Sequence, residues 1–102
     1  MIAGAEAEDG MDGIRTVRVR VEGRVQGVAY RAWARDTARG LGVAGWVHNE
    51  PDGAVSGLLS GPPAAVEAML AAMRRGPGAA EVRTVVAEPA DECAPAGFEI
   101  RR

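Results

Sequence analysis

Residues 15–31 run Arg15-Thr16-Val17-Arg18-Val19-Arg20-Val21-Glu22-Gly23-Arg24-Val25-Gln26-Gly27-Val28-Ala29-Tyr30-Arg31, and the fold turns on how this stretch is parsed. From Arg15 to Glu22 the alternation is strict, with Val17, Val19 and Val21 on one face and Arg18 and Arg20 on the other, as in a half-buried strand. From Tyr30 the period becomes helical. Tyr30, Trp33, Ala34, Thr37, Ala38 and Leu41 share one face of a helix over Tyr30–Leu41, and Gly40 and Gly42 supply its stop. Between strand and helix the chain turns between two glycines. Backbone N–H groups exposed at a helix N-terminus attract negative charge, and Arg31 adds a planar fork of donors matched to phosphate oxygens. Gly23, Arg24, Val25, Gln26, Gly27, Val28 and Ala29 thus form a candidate phosphate cradle, with Arg31 as its cation.

Outward from this stretch, Val43 to Glu50 and Ala54 to Ser60 are strand-like runs around Pro51-Asp52-Gly53, a strong hairpin turn. The first run carries Gly45-Trp46-Val47-His48-Asn49. It ends on an amide that can both donate to and accept from a water. Gly61-Pro62-Pro63 opens a second helix reaching about Arg75, with Val66, Met69, Leu70 and Met73 as its apolar stripe and prolines where a first turn tolerates them. Glu81 to Glu88 and Phe98 to Arg101 read as further strands. The order β-α-β-β-α-β with an added terminal strand predicts an α+β fold. Its economical packing is the ferredoxin-like (split βαβ) sandwich, an antiparallel sheet of four to five strands with two helices on one face. The first and second strands then run the same way, so the Gly23–Arg31 loop and Asn49 share one rim. One intervening strand sets them about 10 Å apart at ~4.8 Å per strand.

Composition narrows the function classes. The chain has 102 residues, enough for one domain and one core. Apolar residues make up 47%, which fits a globular domain rather than a disordered one. The net charge of −2 is uneven: residues 1–13 hold Glu6, Glu8, Asp9 and Asp12 and no base, and they read as a flexible acidic extension to a domain spanning 14–102. The remaining 12 arginines against 10 acids make that domain mildly basic, suited to a small anion and too weakly charged for a nucleic-acid footprint. All the basic residues are arginine, so position and not abundance singles out Arg31. The one cysteine, Cys93, excludes an internal disulfide and fits a reducing compartment. No apolar stretch approaches a membrane span, and no basic-then-apolar leader opens the chain, so a cytoplasmic protein is expected.

Two motifs carry a closer resemblance. The phosphate loop of the acylphosphatase family, Gly-x-Val-Gln-Gly-Val-x-Phe-Arg, is matched from Gly23 to Arg31 with Tyr30 at the Phe position. Its second motif, Gly-Trp-Val-x-Asn-x-x-Asp-Gly, is unbroken from Gly45 to Gly53, and Gly61-Pro62-Pro63, Arg75-Gly76-Pro77 and Phe98-Glu99-Ile100 are similar to later family segments. The resemblance spans about Ile14 to Arg102. It implies hydrolysis of the carboxyl–phosphate bond of acyl phosphates, a small-molecule substrate, without metal or cofactor; a monomer is expected. The family's phosphate-binding arginine maps onto Arg31 and its water-orienting asparagine onto Asn49. Tyr30 adds a hydroxyl that needs a partner, and His48 stands where the family more often has Arg or Lys.

Other readings are weaker. Gln26 suits a loop stabiliser more than a catalyst, and the exposed strand position of His48 argues against a base. RNA-binding sandwiches stack bases on strand aromatics, yet Thr16–Glu22 and Ala54–Ser60 have none. A metal-carrying ferredoxin-like domain is disfavoured by the single cysteine. The alternative retained is a non-catalytic or carbamoyl-phosphate-handling domain of the same type.

Overall fold

The computed structural model describes residues 13–102. The acidic extension expected over 1–13 lies, apart from Gly13, outside the described residues. Seven elements follow in the expected order: β1 (Arg15–Arg24), α1 (Tyr30–Leu41), β2 (Ala44–Asn49), β3 (Val55–Gly61), α2 (Pro63–Arg75), β4 (Glu81–Pro89) and β5 (Phe98–Arg101). The strands form one sheet in the order β4-β1-β3-β2-β5. β1 and β2 both pair antiparallel to β3 and so run the same way with one strand between them. The fold is α+β, and both helices pack on one face of the sheet.

The valine alternation of β1 explains the layering. Val17, Val19 and Val21 are buried beside Val47, Val55 and Leu59 of the neighbouring strands. They meet Tyr30, Ala34 and Ala38 of α1 and Val66, Met69, Leu70 and Met73 of α2. Burying each large aliphatic side chain contributes roughly 1.5–3 kcal/mol, which makes this interlayer contact the main stabilising feature. Among the described residues the buried set holds no charged side chain. Leu41, expected on the buried face of α1, is 37% exposed. It is the last helical residue, and Gly42 in the left-handed conformation then turns the chain away toward Val43.

The sheet is mixed where a purely antiparallel one was expected, because β5 pairs parallel to β2. The cause lies in where β4 ends. Pro89 is opposite Val17, near the start of β1, and the Ala90 N–H donates to the Thr16 carbonyl. The chain therefore leaves β4 at the rim opposite the phosphate loop and crosses to the far edge. There the Gly45 N–H donates to the Gly97 carbonyl at 3.0 Å. From that point β5 can only run in the direction of β2.

Candidate active site

The strand-to-helix connection is shaped by its backbone. At Gly23 (φ 134°) β1 takes a register shift, and an added Cβ would lie 2.1 Å from the Glu81 carbonyl oxygen, so no side chain fits. Gly27 has φ 76° with open space around it, so its requirement is conformational rather than steric. Ala29 then adopts φ 60°, ψ 25° at the N-cap of α1, the only non-glycine residue with positive φ among the described residues. No side chain caps the helix, and the first intrahelical bond runs from the Trp33 N–H to the Ala29 carbonyl. The N–H groups of the first turn are thereby left without intrahelical acceptors.

These groups border a cavity of about 180 Å³. Val25, Gln26, Gly27, Ala29 and Arg31 line it on the loop side, and Asn49 lines it from the end of β2. The expected meeting of loop and asparagine on one rim is thus present. Gly23 and Arg24 stand apart from the cavity, in the last part of β1 against β4, where Arg24 pairs with Glu81 at 3.2 Å. Val28 packs against the core. Val25 is almost fully buried, and its side chain belongs to the core.

Two features make the cavity chemically specific. Arg31 forms no ion pair among the described residues. A cation at a helix N-terminus is disfavoured by the helix dipole unless an anion joins it. The Asn49 Oδ1 is buried with no hydrogen-bond partner, the only such side-chain atom among the described residues. A buried amide oxygen without a donor destabilises the fold by about 1–3 kcal/mol, and a ligand hydrogen relieves this. Arg31 supplies donors, the first turn supplies donors, and Asn49 supplies an acceptor.

Gln26 spans the two halves. Its Nε2 donates to the Glu50 carbonyl at 2.8 Å and to the Ala54 carbonyl at 2.9 Å, the two ends of the turn after Asn49. The same turn is held from β1, where Arg20 pairs with Asp52 and with Glu22. The Arg20 hydrogen bonds keep the Asp52 and Glu22 carboxyls below their ordinary ranges, and Asp52 above all holds the Arg20 guanidinium charged. The Tyr30 hydroxyl, which needed a partner, donates to the Met73 carbonyl near the end of α2 at 2.9 Å. Burial pushes its ionisation upward, so it stays neutral.

The cavity also takes in Ala32, Ile100 and Arg102, which periodicity alone did not connect with it. Ala32 comes with the first turn of α1, whereas Ile100 and Arg102 are placed by the parallel run of β5, for which the linear sequence has no local signal. Among the described residues no three His, Cys, Asp or Glu side chains are grouped as a metal-binding set. No helix among them is long and apolar enough to cross a membrane.

Comparison with known proteins agrees with this geometry. The family model described as Acylphosphatase matches residues 17–100. A curated relative from Rhizobium etli, named acylphosphatase, is 53% identical over 85 residues, covering 82% of this chain and 90% of that protein. The solved structure of an acylphosphatase from Coxiella burnetii is similar with a TM-score of 0.82 at 30% identity, over 86% of this chain and 93% of that one. That of the acylphosphatase from Bacillus subtilis is similar with a TM-score of 0.79 at 30% identity, over 87% and 99%. The phosphate-loop stretch, the Asn49 strand and the sandwich that joins them are those of one family: the chain belongs to the acylphosphatases.

Proposed function

We propose that this protein is an acylphosphatase in which Arg31 and the loop from Val25 to Ala29 hold the phosphoryl group while Asn49 aims the attacking water. The observation that carries this reading is the buried Asn49 Oδ1 in the same cavity as Arg31 and the N-terminus of α1, the oxygen without a hydrogen-bond partner, the arginine without an ion pair and the helix without a side-chain cap among the described residues.

The chemistry asks little more of the protein. In an acyl phosphate the leaving group is a carboxylate, which departs without protonation. Asn49 Oδ1 accepts a hydrogen bond from water and turns the water's lone pair toward phosphorus. The water oxygen bonds to phosphorus as the phosphorus–carboxylate oxygen bond breaks in line. The water's proton passes to a phosphoryl oxygen of the substrate, giving a carboxylate and inorganic phosphate. Arg31 and the first-turn N–H groups stabilise the charge on the transferring oxygens, a preorganised contribution that needs no reorientation during reaction. This route uses no protein nucleophile, metal or cofactor.

The protein is proposed to act as a monomer on a small molecule, without a nucleic-acid partner, in the cytoplasm. The exposed free thiol of Cys93 suits a reducing compartment. The mild charge of the domain suits a small anion, and sedimentation at equilibrium measures the monomer directly. The decisive experiment is phosphate release from benzoyl phosphate in the presence of a chelator. Activity persists with chelator, and Arg31→Ala and Asn49→Ala each lower kcat by about 10²-fold or more. Full activity in either variant, or its loss on chelation, would refute the assignment.

A further inference from the structure

The parallel course of β5 brings to the rim two residues beyond the phosphate machinery. Val47 is opposite Ile100 and His48 opposite Arg101, so Arg102 follows at the level of Asn49. Alternation sets Ile100 and Arg102 on the sheet face that carries Val47 and Asn49. Both line the cavity with Arg31 and Asn49. Arg101 points the other way and is engaged, stacked over the Trp46 ring at 4.8 Å and paired with Glu99. Arg102, like Arg31, is in no ion pair among the described residues. Among the described residues, the side chains lining the cavity include two arginines and no Asp or Glu.

A phosphoryl group accounts for one of those cations. Its oxygens are served by the loop, the first-turn N–H groups and Arg31, and it has no use for the apolar side chain of Ile100. A carbon chain does, and a negative group at the end of that chain would use Arg102. We infer that Ile100 and Arg102 form the subsite for the acyl group, and that the preferred substrates are acyl phosphates whose acyl part carries a second carboxylate. This inference rests on the reading of the cavity as an acyl phosphate site.

The test compares benzoyl phosphate with 3-carboxybenzoyl and 4-carboxybenzoyl phosphate, rigid analogues that place a second carboxylate at two distances. The parent protein, Arg102→Ala and Arg102→Lys are assayed with each. In the parent, at least one carboxybenzoyl phosphate is preferred in kcat/KM by about two- to fivefold, the scale of an exposed charge pair, with the gain in KM. Arg102→Ala abolishes the preference, Arg102→Lys retains much of it, and added salt weakens it. No preference in the parent, or a preference that survives Arg102→Ala, would overturn the subsite. Equal losses on all three substrates would assign Arg102 to the phosphoryl group and overturn it as well. Failure of the parent to hydrolyse benzoyl phosphate is the separate result that would sink the underlying site reading.

Discussion

Ala29 and Tyr30 stand side by side in the phosphate loop and are held for different reasons. Ala29 occupies the left-handed region at φ 60°, a conformation that disfavours an L-residue by about 1–2 kcal/mol. A Ser or Asp at this N-cap would turn its own side chain onto the first-turn N–H groups, whereas alanine leaves them to a ligand. Ala29→Gly relieves the strain, partly offset by extra freedom in the unfolded chain. Urea unfolding should then show a gain of up to about 1 kcal/mol. Tyr30 closes a carbonyl near the end of α2 that the helix cannot itself satisfy. Tyr30→Phe keeps the ring and loses about 1 kcal/mol in the same measurement. The motif could show a ring here with a hydroxyl in need of a partner; that the partner would be Met73, 43 positions away, was decided by the packing of α1 on α2.

At the level of elements, the working distance is the one between the β1–α1 loop and the β2–β3 turn. Neither is held by the sheet alone, since both project beyond the strand ends. Gln26 joins them through two hydrogen bonds from one amide nitrogen. The structural role expected of Gln26 from sequence is therefore correct, and it has a kinetic consequence. Gln26→Leu removes both bonds and loosens Asn49 relative to the cradle. Stability should fall by about 1–3 kcal/mol, and kcat for benzoyl phosphate by about tenfold or more, because small misplacements of reacting groups are heavily penalised. A variant with unchanged kcat would show that the sheet suffices to hold the two halves.

For the whole molecule, ligand and proton linkage give two further tests. Inorganic phosphate binds the folded site and should raise Tm as its concentration passes the dissociation constant. Arg31→Ala should lose that response while still unfolding cooperatively. The charged network behaves differently. Arg20 hydrogen bonds lower the Asp52 and Glu22 carboxyls from ordinary values of 3.8 and 4.5, and Arg15 lowers Glu67 from 4.5. A carboxyl depressed in the folded state contributes stability that is complete above its unfolded value and is lost as pH falls through the folded one. The urea midpoint should thus be level with respect to these groups down to about pH 4.5 and decline below it. The acid limb should be shallower in Arg20→Ala, since that variant has less pairing left to lose.

The local patterns were enough to determine the elements. Strict alternation in β1, the helical spacing from Tyr30 and the Pro51-Asp52-Gly53 turn each act within a few residues, where side-chain period and backbone freedom dominate. Because β1 and β2 necessarily run the same way in this order of elements, the shared rim of Arg31 and Asn49 was also legible. What only the tertiary structure decided depends on contacts between distant segments. The parallel pairing of β5 follows from β4 ending beside Thr16, which leaves the chain at the rim from which it can only ascend. From that pairing come the placement of Ile100 and Arg102 in the cavity and the mixed character of the sheet. The unpartnered oxygen of Asn49 is of the same kind, since whether a polar atom lacks a partner is set by everything folded around it. Sequence periodicity reports on which face of an element is buried, and it carries no information about which edge a returning strand will find.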